Sequence, residues 1–306
     1  MLILGAGMLA SLPLSLSAAP ALSAAQIRTW QADHTRVSAI ALRLLSANLD
    51  RCPDARHFDF GYLALNLAPD AAGAVRDLWS TAIGLTPQPQ LVVITPNGPA
   101  AAAGLQVGDR IAAMDGVAWE ADPAPRAAYF TAARAAQAAG HMTLQVDRAG
   151  GSVTVTLAGA TTCAVSVALT TAPGYNASTY GTRVEVQAGV PTLLTDQDEL
   201  AAVVAHEIAH ALLRHSGPGQ EAAVRDPARR ARIEREADAL GVRLLLRAGF
   251  DPMGAARATP RLDRANRGPL SRMMGLYGSY MPTEQRVAFL TEQAAQARAE
   301  QANPAP

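Results

Sequence analysis

The segment that most constrains this chain runs from Thr195 to Gly217, TDQDELAAVVAHEIAHALLRHSG, because its hydrophobic spacing suits one regular structure only. At about 100° per residue, Leu200, Val204, Ile208, Ala211 and Leu212 line one side of a helix. His206, Glu207, His210 and Val203 gather on the other, within about a third of the circumference. Asp196 is placed to cap this helix, Glu199 to complete a capping box, and Gly217-Pro218 to stop it. One face is therefore expected to sit on a core while the other presents two imidazoles and a carboxylate.

Residues four apart on a helix stack one turn above each other, so His206 and His210 can reach one metal ion. Glu207, one position along, lies beside that ion, where it can take a proton from a water. A third protein ligand is needed. A metzincin would place Gly at 213 and His at 216, whereas those positions hold Leu213 and Ser216. His215 is one residue off and, on a continuing helix, would point away from the metal. The remaining route is a glutamate from a second helix, as in thermolysin-like His2Glu sites.

Such a helix follows. Asp226-Pro227 supplies an N-cap and a first-turn proline, and the pattern ARRARIEREADALGVRLLLRAGFDP runs to Gly249 with Pro252 beyond. Glu234 and Asp238 are one turn apart on the face that carries Gly241 and Leu245. Glu234 is expected to enter the coordination sphere, and Asp238 to accept the N–H of a metal-bound imidazole, His206. Ala237 and Gly241 are small enough to let the two helices approach closely.

HEIAH, then E-x-x-A-D and G-x-x-x-L-x-x-A-G-F-D-P, resembles metallopeptidase family forty-eight, the group of HtpX, BepA and the CAAX prenyl endopeptidases, over roughly residues 163–290. The resemblance implies a mainly helical gluzincin-type peptidase domain with one Zn2+ per chain, a small substrate-binding sheet, and protein or peptide substrates. It also implies a substrate-pairing strand before the active-site helix, matched here by Asn176-Ala177 and Thr182–Gly189. One departure stands out. Where many relatives have His-Pro, this chain has Met281-Pro282, which leaves Tyr280 and Arg286 as the nearest groups for an oxyanion role.

Between Phe58 and Leu157 the pattern changes to short β runs: FDFGYLALNL, QLVVIT, RIAAMDG, HMTLQV and SVTVTL, with one Ala-rich helix ending at Gly140. The stretch Gly98 to Ile111, GPAAAAGLQVGDRI, followed by an Asp115-Gly116 turn, resembles a PDZ domain. That resemblance implies peptide binding by strand addition, with Phe60-Gly61-Tyr62 as the loop that would capture a terminal carboxylate. The alternative is that Phe60 and Tyr62 are core aromatics.

Residues 2–25 form the longest uncharged apolar stretch and end in small residues, which reads as an export signal cleaved after Ala21 or Ala25, although it lacks an N-terminal Lys or Arg. An uncleaved anchor or a buried helix is the alternative. No later segment offers the roughly 20 apolar residues of a membrane span. Cys52 and Cys163 bracket the β-rich segment and are expected to pair in an oxidising compartment, periplasmic or extracellular. Lys plus Arg and Asp plus Glu each number 26, so no global field recruits nucleic acid. The expected class is α+β: signal 1–25, N-terminal helix 26–56, PDZ domain 57–160, peptidase domain 161–300 and tail 301–306. The expected activity is that of a zinc endopeptidase, for which the family resemblance implies a role in envelope quality control, against the alternative of a peptide-binding adaptor with a latent or structural zinc site.

Overall fold

The computed structural model describes residues 22–52, 56–68, 71, 73–120, 123–219, 226–266 and 281–303. The body of the expected export segment and Tyr280 lie outside the described residues. The fold is α+β. Residues 1–42 and 55–162 form one compact unit, and residues 43–54 and 163–306 another.

The first unit holds most of helix α1 (Ala24–Ala47), then β1 (Arg56–Asp59), β2 (Tyr62–Leu65), α2 (Gly73–Ile83) and β3 (Gln90–Ile94). The short α3 (Pro99–Ala102), β4 (Arg110–Met114), β5 (Val117–Ala118), α4 (Pro123–Ala139), β6 (His141–Arg148), β7 (Gly151–Ala158) and β8 (Ala160–Cys163) follow. The main sheet is antiparallel, in the order β2-β3-β4-β6-β7 with β5 on β4, while β1 pairs with β8. Apolar residues alternate along these strands, so Leu91, Ile111, Met114, Leu144 and Val146 turn inward beneath Tyr129 and Ala133 of α4. The β4–β5 connection needs left-handed backbone at two successive residues, and Asp115 (φ 47°) and Gly116 (φ 79°) supply it. Gly140 is required for space as well: a Cβ there would lie 2.7 Å from the Phe58 ring.

One helix was expected among these strands, and the described residues contain three. α2 carries its inward side chains Val75, Leu78, Trp79 and Ala82 at helical spacing, but the flanking prolines read as loop. Trp79 packs edge-on against Trp30 of α1, with ring centroids 5.6 Å apart.

The second unit contains β9 (Ser166–Leu169), β10 (Ala177–Tyr180), β11 (Arg183–Val186), α5 (Gly189–Leu193) and α6 (Gln197–Leu212). It continues with α7 (Pro227–Arg247), α8 (Gly254–Asn266) and α9 (Thr283–Ala302), which runs past residue 300, where the tail was expected to begin. Its sheet has the order β10-β11-β9, antiparallel then parallel. β11 is therefore paired on both sides and has no edge to offer a peptide; the edges are β9 and β10, of which β10 packs along α6. This corrects the expectation that residues 182–189 pair with substrate, since a hairpin back to Ala177 covers one side of that strand.

Two details of α6 also differ from expectation. Asp196 caps it, accepting from the N–H groups of Asp198 and Glu199 at 2.9 and 3.0 Å, but the Glu199 carboxylate does not complete a capping box. It is buried against Arg261, at 2.5 Å, because an ion pair to α8 competes with the reach back to the cap. The helix ends at Leu212 with Leu213 as its C-cap, short of Gly217, and the next residue, Arg214, adopts φ 54°. Residues 43–52 are held to this unit by the Cys52–Cys163 disulfide, by Asn48 donating to the Leu244 carbonyl, and by Arg247 gripping Asp50 at 2.6 and 2.8 Å. Among the described residues no helix is long and apolar enough to cross a membrane.

Candidate metal centre

α6 and α7 cross with their backbones close together. A Cβ on Gly241 would sit 3.3 Å from both the Cα and the N of His206, so glycine there sets the distance at which α7 delivers its carboxylates. Three side chains converge at this crossing. His206 Nε2 lies 3.1 Å from His210 Nε2, and Glu234 places its two oxygens 3.4 Å from the first and 3.8 Å from the second. Donors at the corners of a tetrahedron around Zn2+, each at 2.0–2.1 Å, stand about 3.3 Å apart. The observed separations bracket that figure, and all three donor atoms fall within 4.8 Å of one another. Among the described residues these three donors fit a zinc ion, and no fourth donor joins them.

The two histidines of this set are backed by different groups. His206 Nδ1 faces the Asp238 carboxylate at 2.9 Å, and that carboxylate is buried and receives two bonds from the Arg286 guanidinium, at 2.9 and 2.7 Å. Arg286 thus braces Asp238: a guanidinium forked onto a buried carboxylate is held in place by that pair. Burial disfavours a charged His206, but hydrogen bonds to Asp238 and Glu234 outweigh it and raise the pKa to about 10. The same contacts overcome burial at Glu234 and Asp238 and hold both carboxyls well below the usual range.

His210 is backed by a residue that sequence reasoning set aside. The left-handed turn at Arg214 folds the chain over the helix end, where the His215 N–H donates to the His210 carbonyl at 3.0 Å. The His215 ring is then buried with Nδ1 3.0 Å from His210 Nδ1 and Nε2 3.1 Å from Glu236 Oε2. Among the described residues His215 stays outside the ligand set, as expected, but the early stop of the helix brings its ring against the far nitrogen of His210, where a continuous helix would have turned it away. Burial, with the neighbouring His210 adding to it, lowers the His215 pKa, while Glu236 opposes.

Glu207 is buried at the same cleft and held from the sheet. The Thr179 hydroxyl on β10 lies 2.7 Å from its Oε2 and 2.8 Å from its main-chain carbonyl. The Thr179 carbonyl in turn accepts the Ser216 hydroxyl at 2.7 Å. The cleft has a volume of about 430 Å³ and is lined by Asn176, Ala177 and Thr179 on one side and by Val203, Val242 and Leu262 on the other.

The loop residues Phe60, Gly61 and Tyr62 belong to the first unit. Phe60 and Tyr62 are buried in its core, and the Gly61 N–H donates to the Asp59 carboxylate at 2.7 Å. Cys52 and Cys163 form a disulfide with Cα atoms 5.5 Å apart.

Set beside known families, residues 155–225 match the model of Peptidase family M48, a span that takes in β9 to β11 and the HEIAH helix and stops short of Glu234. The match supports a metallopeptidase of that family. No curated protein matches the chain.

Proposed function

We propose that this protein is a zinc-dependent endopeptidase of the bacterial envelope, periplasmic or secreted, acting in protein quality control. The observation that carries the activity is the convergence of His206, His210 and Glu234 at separations of 3.1, 3.4 and 3.8 Å, with Glu207 beside them in one cleft. When bound, zinc supplies a Lewis acid that polarises the scissile carbonyl and lowers the pKa of water. Glu207 is the general base, taking the proton from the attacking water on its carboxylate and returning it to the leaving amine. The Thr179 hydroxyl holds that carboxylate toward the cleft. Ala177 on the edge strand β10 offers its peptide group for pairing with an extended substrate.

Export is supported by the apolar N-terminal stretch and by the Cys52–Cys163 disulfide, since such bonds persist in oxidising compartments. The first unit is read as a PDZ-like peptide-binding module. β2 stands at the end of its sheet, where a peptide could add as a strand. Capture of a terminal carboxylate at Gly61 would compete with Asp59 for the same N–H.

The test is Glu207→Gln. The variant is expected to keep one zinc per chain by metal analysis and to lose cleavage of unfolded casein by at least about 10²-fold. Wild-type activity in this variant removes Glu207 from the mechanism. A zinc-loaded wild-type chain that binds unfolded protein without cutting it supports the adaptor reading instead.

A further inference from the structure

We infer that His215 and Glu236 together fix the proton on His210 and so set how tightly the site holds its metal; this rests on the zinc reading above and assigns two residues that lie outside the ligand set.

A histidine that ligates through Nε2 must carry its proton on Nδ1, and the group facing Nδ1 decides whether that tautomer is favoured. The two histidines of the site are treated differently. His206 Nδ1 faces a carboxylate, Asp238, which can only accept. His210 Nδ1 faces another imidazole nitrogen, Nδ1 of His215 at 3.0 Å, which either accepts or donates. Taken alone, that contact permits two proton arrangements. If His215 carries its proton on Nδ1, it donates to His210, whose own proton then sits on Nε2 and blocks the metal.

Glu236 removes the ambiguity. Its Oε2 lies 3.1 Å from His215 Nε2 and, as an ionised carboxylate, can only accept. The proton of His215 is therefore drawn to Nε2, Nδ1 presents its lone pair to His210, and His210 is left with Nδ1–H and a free Nε2. Among neutral-ring arrangements, one alone satisfies both contacts, and it is the one that binds a metal. The relay runs from the buried ligand to the surface: the His215 side chain is 7% exposed and that of Glu236 48%, so a solvent-facing carboxylate acts on the ion through an intervening ring.

The relay depends on the turn after α6. The positive φ of Arg214 and the bond from the His215 N–H to the His210 carbonyl bring residue 215 back beneath residue 210, a placement a continuing helix would not give.

The experiment measures zinc dissociation constants by competition with a chromophoric chelator at one fixed pH, for wild type, His215→Ala, His215→Asn and Glu236→Ala, each with the melting temperature of its zinc-free form. His215→Ala leaves the Nδ1–H of His210 without its acceptor and is expected to weaken zinc binding about 10- to 100-fold. In His215→Asn the amide oxygen stands near the position of Nδ1 and is expected to restore affinity to within a few-fold of wild type. Glu236→Ala alters a half-exposed residue, is expected to leave the zinc-free melting temperature unchanged, and is expected to weaken zinc by several-fold or more. It keeps the inference open to refutation if His215→Ala does not fold. Wild-type zinc affinity in Glu236→Ala, or in a folded His215→Ala, overturns the relay while leaving the peptidase reading intact. Absence of zinc binding by the wild-type protein overturns both.

Discussion

Raising the pH is expected to weaken the zinc-free protein and strengthen its grip on zinc over the same window, because one proton on His206 stands where the ion would be. The His206 side chain is largely buried, 17% exposed, with Asp238 at 2.9 Å and Glu234 at 3.4 Å. Burial disfavours its charge, yet those two carboxylates raise the pKa from 6.5 to about 10. A pKa raised on folding stabilises the fold fully below the unfolded value and ceases to do so as pH climbs through the folded one. The zinc-free protein should therefore lose about 1.4 kcal/mol per pH unit above 6.5, or about 3 kcal/mol by pH 9. Glu234 and Asp238 carry the other side of the same interaction. Their depressed pKa values keep it in place above the ordinary carboxyl range and release it only as pH falls well below that range. Zinc must displace the His206 proton, so its apparent affinity should rise about tenfold per pH unit between 7 and 9. Calorimetric melts of chelator-treated protein from pH 6.5 to 9 read the first effect. Zinc titrations at pH 8 in buffers of different ionisation enthalpy count the protons released and read the second. A zinc-free melting temperature that is flat or rises over this range, or a proton count near zero at pH 8, refutes the reasoning.

Thr179→Val removes the hydroxyl 2.7 Å from Glu207 while keeping its shape, and a hydrogen bond to a charged group contributes about 1.5–3 kcal/mol. The expected result is a kcat about 10- to 100-fold lower with KM and zinc affinity unchanged and with Thr179→Ser recovering most of the loss; wild-type kcat in the valine variant counts against it. Reducing the Cys52–Cys163 disulfide opens a loop whose ends are 111 residues apart, which on a chain-entropy estimate lowers the stability of the unit holding both cysteines by up to about 5 kcal/mol. Denaturant midpoints with and without reductant measure this, and coincident curves exclude it.

What the sequence disclosed about the site follows one rule: groups placed by the period of a single helix were readable, and groups placed by chain reversal were not. His206, Glu207 and His210 share a face of α6, and Glu234 and Asp238 share a face of α7, because side chains four residues apart on a helix lie over one another. That Gly241 would let the two helices meet at His206 could also be argued from its size. Nothing in the local pattern connects Thr179 to Glu207, which meet only because β10 doubles back from β11 to lie along α6. His215 was misplaced because Leu212 and Leu213 continue the helical pattern, whereas Leu213 is in fact 41% exposed and the next residue turns left-handed. The same limit explains why Glu199 was expected to cap its own helix when Arg261, distant in sequence, binds it.

This division has a consequence for how the centre can be tuned. On the proposed reading the ligands and the base cannot change without abolishing coordination or proton transfer, but the two histidines and the base are oriented by partners that can: Asp238 with Arg286 for His206, His215 with Glu236 for His210, and Thr179 for Glu207. Those partners differ in how much the fold depends on them. Asp238 is 3% exposed and shares a buried ion pair, so losing either member leaves an uncompensated charge and costs stability along with metal. Glu236 is half-exposed and pairs only loosely with Arg232, at 3.8 Å, so its charge can be removed with little cost to the fold. Substitutions that alter zinc affinity without unfolding the protein should therefore concentrate on the His210 side of the ion, and those that damage both together on the His206 side.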